Sequence, residues 1–249
     1  MASQTVIRGS FLGLIVAAAP AVAGPVNGNW IANGSFENST TTQSTKMTNS
    51  NVSGWATTSG YTFLVYPGKA TVNLDPSLGD STLYLYGGGA FPSTSPDGGN
   101  FLVSDGGFQT GYESQTLTGL TIGTRYEATF WQAAGQQFSF SGVTTEQWKV
   151  GFGTSYANST FQTTTLMSTP SQSFIGWNKQ TLSFIATATS EFLSFEALGT
   201  PSGQPPFVLL DGVTFTVPEP GSIALFGGGL LALLALRARK RQMPAIGDE

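Results

Sequence analysis

Five aromatic side chains sit among hydrogen-bonding neighbours: Tyr84, Tyr86, Tyr112, Trp131 and Trp148. Trp131 precedes Gln132, and Trp148 stands between Gln147 and Lys149. A flat ring beside an amide or an ammonium group is what a sugar ring needs to stack and be hydrogen-bonded. Each ring also has a core reading, which for any single one is the stronger, and Trp55 and Trp177 read as core. Twelve carboxylates lie between Gly24 and Pro220, but the chain has neither histidine nor cysteine. That removes Ser-His-Asp and Cys-His catalysis, His-ligated zinc and disulfides. A glycosidase needs only two carboxylates at a set separation, yet no spacing among the twelve singles out a pair. Gly87-Gly88-Gly89 lies between strand-like runs rather than before a helix, so it reads as a turn and not as a phosphate loop. The chain reads as a non-enzyme.

Charge narrows the partners. Five basic residues face twelve acidic ones between Gly24 and Pro220, a net charge of −7. Such a region repels phosphate backbones, which excludes nucleic acid. A low charged fraction with abundant Ser, Thr, Asn and Gly suits a neutral polar ligand or a matrix.

These residues must be positioned by strands. Short runs of alternating polarity, punctuated by Gly, Pro, Asn and Asp, predict strands at 62–66, 82–86, 100–104, 113–117, 125–132, 147–152, 161–167, 179–186, 192–197 and 208–217. Leu182, Phe184 and Ala186 share one face and Thr181 and Ser183 the other; Leu193, Phe195 and Ala197 repeat the pattern against Ser194 and Glu196. A period of two marks half-buried antiparallel strands. About ten of them without a convincing helix predict an all-β fold, a two-sheet antiparallel jelly-roll sandwich over residues 24–216. Residues 38–53 and 87–99 read as loops.

Both ends read as targeting segments. Arg8, an apolar run from Phe11 to Ala19 and Ala21-Val22-Ala23 before Gly24 have the layout of a signal peptide over residues 1–23, handled by Sec-type export machinery. Residues 221–236 are sixteen uncharged residues, about 24 Å as a helix at ~1.5 Å per residue. They form the expected single transmembrane helix, which is short for a bilayer core. The basic cluster Arg237, Arg239, Lys240 and Arg241 stays cytoplasmic, so the bulk of the chain faces outward. Residues 237–249 form the tail.

Before that span, Val217-Pro218-Glu219-Pro220 is held extended by its two prolines. This motif, the apolar span and the terminal Arg/Lys cluster together resemble the PEP-CTERM sorting signal of Gram-negative bacteria that make extracellular polysaccharide. The resemblance covers roughly the last thirty residues, with Gln242 to Glu249 extending past the usual stop at the basic cluster. It implies recognition by an exosortase, a membrane-embedded cysteine transpeptidase-like enzyme, with cleavage near Pro218-Glu219-Pro220.

A second, looser resemblance spans about residues 28–216. Asn33-Gly34-Ser35-Phe36-Glu37, Gly54-Trp55, Asp97-Gly98-Gly99-Asn100-Phe101, Ser114-Gln115-Thr116-Leu117 and Leu209-Leu210-Asp211-Gly212-Val213 resemble the galactose-binding-like jelly roll of many carbohydrate-binding modules. That resemblance implies a structural calcium joining the opening and closing segments, with Glu37 and Asp211 as carboxylate ligands and backbone carbonyls completing the shell. Gly212 stands where family members often carry a second acid. Read from the residues alone, Glu37 and Asp211 equally suit strand-end acids capped by backbone N–H groups.

The expected function is that of an exported, membrane-anchored surface or biofilm matrix protein, whose outer domain binds carbohydrate or exopolysaccharide. A self-associating structural protein is the alternative, and a glycosidase a more distant one.

Overall fold

Alternation of this kind puts every second side chain on one face of a strand, so two such sheets close on each other by burying their apolar faces. The computed structural model describes residues 26–79, 83–87 and 94–218 and shows this arrangement. The expected signal peptide and transmembrane helix lie outside the described residues, as do Glu219, Pro220 and the basic cluster. Among the described residues, no helix is long and apolar enough to cross a membrane.

Sheet one orders β1 (Thr45–Lys46), β3 (Thr62–Val65), β4 (Phe101–Asp105), β12 (Pro206–Thr216), β6 (Arg125–Gln136) and β10 (Phe174–Ile185). Sheet two orders β2 (Ala56–Thr57), β5 (Tyr112–Thr118), β11 (Ser190–Thr200), β7 (Thr144–Gly153) and β8 (Ser159–Thr163), with β9 (Met167–Thr169) pairing on β7. Every pairing is antiparallel. From β4 to β7, and again from β10 to β12, the chain crosses between sheets at each step, the winding of a jelly roll.

The core sits between the sheets. Phe130 of β6 meets Phe195 of β11 edge to face at 5.1 Å, and Phe195 also packs on Trp148 of β7 and on Trp55. The Trp148 indole N–H donates across the sandwich to the Leu209 carbonyl at 3.0 Å, so its polar atom is satisfied at full burial. A second apolar cluster lies on the outer face of sheet one, where Phe63, Phe101, Val103, Phe207 and Leu209 are covered by Ala70, Leu74, Leu83 and Leu85. That part of the face is therefore core, not surface.

Most expected strands are present with shifted ends, and two differ in kind. The stretch expected at 82–86 is no strand over its described residues: 83–87 make only an isolated bridge, Leu85 to Gln137. Its alternation arises because Leu83 and Leu85 fill the second cluster. The run expected at 161–167 is broken into β8 and β9 where the Thr164 amide bonds to the Trp148 carbonyl and its hydroxyl accepts from the Trp148 amide, both at 2.9 Å. β1 arises inside the stretch read as a loop, edging sheet one on β3.

Candidate functional site

The outer face of sheet two is built by register. Tyr112 of β5 pairs with Glu196 of β11, which pairs with Lys149 of β7, which pairs with Thr163 of β8. One cross-strand row thus carries an aromatic ring, a carboxylate, an ammonium and a hydroxyl on the same face. The adjacent row is Ser114, Ser194, Gly151 and Phe161. Gly151 is needed there, because a Cβ would lie 2.6 Å from the Phe161 ring.

Tyr156 completes this platform. After β7 the chain makes a single 3₁₀ turn, Tyr156–Asn158, capped by the Ser155 side chain. The turn returns Tyr156 over the sheet, where its ring stacks on Tyr112 at 4.2 Å and meets Phe161 at 5.1 Å. Phe192 stands edge-on to Tyr112 at 5.6 Å. Lys149 Nζ donates to Glu196 Oε2 at 2.9 Å and to the Tyr156 hydroxyl at 3.0 Å, and that hydroxyl donates to Glu196 Oε2. Lys149 Nζ also lies 4.4 Å from the Phe161 ring centroid. Hydrogen bonding to Glu196 and Tyr156 raises the Lys149 pKa, so the amine stays charged. Partial burial, then the bond to Glu196, raises that of Tyr156.

Half-exposed rings beside a fixed carboxylate–ammonium pair and a border of Ser and Thr hydroxyls can stack and hydrogen-bond a polar ring. The row holds one carboxylate. Glu113, next along β5 from Tyr112, points the opposite way and is fully buried, bonding Thr62 at 2.5 Å. Glycoside hydrolysis would require a second carboxylate facing the first across the substrate.

The aromatic residues expected to bind sugar are dispersed. Trp148 is fully buried in the core with its N–H already bonded, so its ring is closed to any ligand; that expectation is corrected. The cause is strand phase, since Trp148 alternates inward while Gln147 and Lys149 point outward. Tyr84 and Tyr86 pack on Phe138 beyond the end of β6, at 4.6 and 5.1 Å. Trp131 lies half-buried on the outer face of sheet one, paired with Lys179, whose Nζ stands 6.0 Å from the ring. Of the five aromatics, only Tyr112 belongs to the platform. Nothing in the sequence marked Tyr156, because its place depends on a turn rather than on strand periodicity.

Glu37 and Asp211 come to one corner, joined by Asp97. The opening loop turns through left-handed Asn33 and Phe36, closes on β12 through the Val213 amide to the Gly34 carbonyl at 3.0 Å, and buries Phe36 against Trp55. Glu37 then accepts from the Asn100 amide. Asp211 is buried on β12 and accepts from Ser95 Oγ and, at 2.7 Å, from the Gly212 amide. Gly212 adopts φ +60° at a bulge between Asp211 and Thr214, a conformation glycine takes without strain. Burial pushes the Asp211 carboxyl up to about 8, and the nearby charges of Asp97 and Glu37 push it the same way.

Among the described residues, no three or more His, Cys, Asp or Glu side chains are arranged as a metal site. The donors at this corner are hard oxygens, and a divalent cation would draw the proton from Asp211, which fits calcium chemically. A cation would take the Glu37 and Asp211 carboxylates, with the rest of its shell from other oxygens.

β12 ends at Thr216, and Val217 leaves the sheet 41% exposed. The family profile described as the PEP-CTERM protein-sorting motif matches residues 216–240. The chain carries a PEP-CTERM sorting motif. The motif thus begins on the last residue of the closing strand, and Pro218, with no amide N–H, cannot prolong the ladder. A sorting motif there marks the chain for export and attachment through its C-terminal end.

No curated protein matches the chain. Among solved structures, the enzymatically active domain of bacteriophage CBA120 tailspike protein 4 aligns at 13% identity and TM-score 0.41, over 77% of this chain and 22% of that one. TmCBM61 in complex with β-1,4-galactotriose aligns at 15% identity and TM-score 0.44, over 76% and 99%. The CBM22-1 xylan-binding domain of Paenibacillus barcinonensis Xyn10C aligns at 13% identity and TM-score 0.38, over 71% and 94%. Likeness at this level says nothing about what this chain binds.

Proposed function

We propose that the chain is an exported surface protein whose jelly roll binds polysaccharide on the outer face of sheet two, with the sorting motif delivering it to an exosortase for anchoring and cleavage. The observation that carries the binding reading is the row Tyr112–Glu196–Lys149, roofed by Tyr156. It joins aromatic stacking surface to a pre-arranged acceptor and donor, the combination a sugar ring uses. The Lys149–Glu196 pair is partly exposed, at 30% and 20%, so it adds little to stability, on the order of 0–1 kcal/mol. Its value lies in positioning. Export through the Sec-type machinery, with the N-terminal bulk outside the cytoplasm, is part of the same reading. A structural calcium at Glu37 and Asp211 would neutralise the buried acid corner and tie the opening loop to the closing strand, away from the platform.

The test is a glycan array on the purified full-length chain in detergent, with calcium and again with chelator, for wild type and Tyr156→Ala. Retained binding to one polysaccharide class in wild type, lost in Tyr156→Ala, is the expected result. An array blank in both conditions removes the binding reading and leaves sorting, with self-association as the role of the outer domain.

A further inference from the structure

A cleft of about 300 Å³ opens at the end of the sandwich where β12 begins, lined by Tyr61, Asp105, Phe108, Gln137, Phe140 and Ser202. Asp105 closes β4 on the outer face of sheet one, opposite Phe207, and is 1% exposed. Its Oδ1 accepts from the amides of Gly107 at 2.7 Å and Phe108 at 3.1 Å. The turn they make passes so close to β11 that a Cβ on Gly106 would fall 2.5 Å from the Gly199 amide nitrogen. Among the described residues, Oδ2 has no hydrogen-bond partner. A buried carboxylate oxygen left without a donor costs free energy, so an occupant supplying one would be favoured.

The walls restrict what that occupant is. Tyr61 and Phe108 meet edge to face at 5.2 Å, and Phe108 remains 49% exposed. Phe140 adds a third ring beside them. Aromatic faces around a carboxylate attract an ammonium group, which gains from the ring quadrupoles and the negative charge together. Burial raises the Asp105 carboxyl to about 6, opposed by the Gly107 and Phe108 amides, so at neutral pH it is mostly ionised, with no counter-charge beside it among the described residues. The Gln137 amide and Ser202 hydroxyl supply polar contacts for ring hydroxyls. The volume is at the small end of ligand sites and admits a single ring.

We propose that this cleft binds a protonated amino-sugar residue, its ammonium donating to Asp105 Oδ2 and its ring stacked on the exposed face of Phe108. The site is separate from the sheet-two platform and stands or falls without it. Its placement suits a polymer met outside the cell: Pro205 lines the cleft, β12 starts at Pro206, and its eleven residues run roughly 35 Å, at ~3.3 Å each, before the sorting motif begins. The cleft therefore sits at the opposite end of β12 from Thr216, where the sorting motif begins.

Isothermal titration of the full-length chain in detergent with glucosamine, N-acetylglucosamine and glucose tests this. One saturable glucosamine site is expected, at least about tenfold tighter than for either neutral sugar. Asp105→Asn should weaken glucosamine at least about tenfold while leaving shape intact. Phe108→Ala, which removes a largely exposed ring without opening the core, should weaken it about threefold or more with an unchanged melting temperature. Equal affinity for N-acetylglucosamine, no glucosamine binding, or glucosamine binding that survives both substitutions overturns the proposal. Tighter binding of Nα-acetyl-lysine than of glucosamine also overturns it, in favour of a protein lysine as occupant. Loss of glucosamine binding in Tyr156→Ala would place the ligand on sheet two instead.

Discussion

Tyr112 and Tyr156 lie stacked, ring centroids 4.2 Å apart and planes 9° from parallel, although one comes from the first residue of β5 and the other from a turn after β7. The stack positions the Tyr156 hydroxyl between Lys149 Nζ and Glu196. Removing only that hydroxyl in Tyr156→Phe should keep the stack and cost binding about tenfold or more, the worth of one hydrogen bond to charged partners. Tyr156→Ala should cost more. Affinity for the polysaccharide class found on the array, measured for both variants, decides this; equal affinity of Tyr156→Phe and Tyr156→Ala would make the hydroxyl, and not the ring, the binding element.

Three buried carboxyls make metal-free stability depend on pH. Burial raises Asp211 from 3.8 to about 8, Glu113 from 4.5 to about 8 and Asp105 from 3.8 to about 6. In the folded state they hold protons that the unfolded chain has already lost, so the folded state binds more protons between pH 4 and 8. Stability must therefore fall as pH rises through that window. The melting temperature in chelator should decline steadily from pH 5 to pH 8. Glu113→Gln should flatten the decline, gaining about 2–4 °C at pH 8 for each kcal/mol recovered.

Calcium should act on the same curve at one point. If it is held by Glu37 and Asp211, adding it at pH 8 should raise the melting temperature by several degrees, because a ligand binding only the folded state stabilises it by mass action. Asp211→Asn should abolish the calcium response while making the chelated protein more stable at pH 8 than wild type. A melting curve indifferent to calcium at every pH removes the metal from this corner.

Trp148 tests core against ligand. Trp148→Ala should destabilise by about 3–5 kcal/mol through loss of buried volume. Trp148→Phe should fold, lose about 1 kcal/mol with the bond to Leu209, and bind sugar as wild type does. Denaturant melts and the same array separate the two effects.

The sorting motif predicts processing. In cells containing an exosortase, Glu219→Ala should leave the chain uncleaved and held in the membrane fraction, visible as a mass larger than the mature form by the C-terminal segment. Identical processing of wild type and variant would place recognition elsewhere in residues 216–240.

Period-two alternation alone showed that Leu193, Phe195 and Ala197 face inward and that Ser194 and Glu196 face outward, and the burial of β11 follows that pattern except at Ser194, which is buried on the outer side. The same local signal determined the all-β class and the approximate position of most strands, and the linear order of Val217-Pro218-Glu219-Pro220, apolar span and basic cluster determined the sorting motif. These are short-range properties, carried by neighbouring residues. The sites are not. Which face Trp148 occupied, whether residues 83–87 joined a sheet, and that Asp97 would join Glu37 and Asp211 depended on strand phase and on which segments fold across which face. Lys149, Glu196, Tyr112 and Tyr156 become one platform only when β5, β11 and β7 pair in register and the turn after β7 doubles back. Pairing between distant strands is decided by burial of the whole core, so only the tertiary structure could bring those four side chains together.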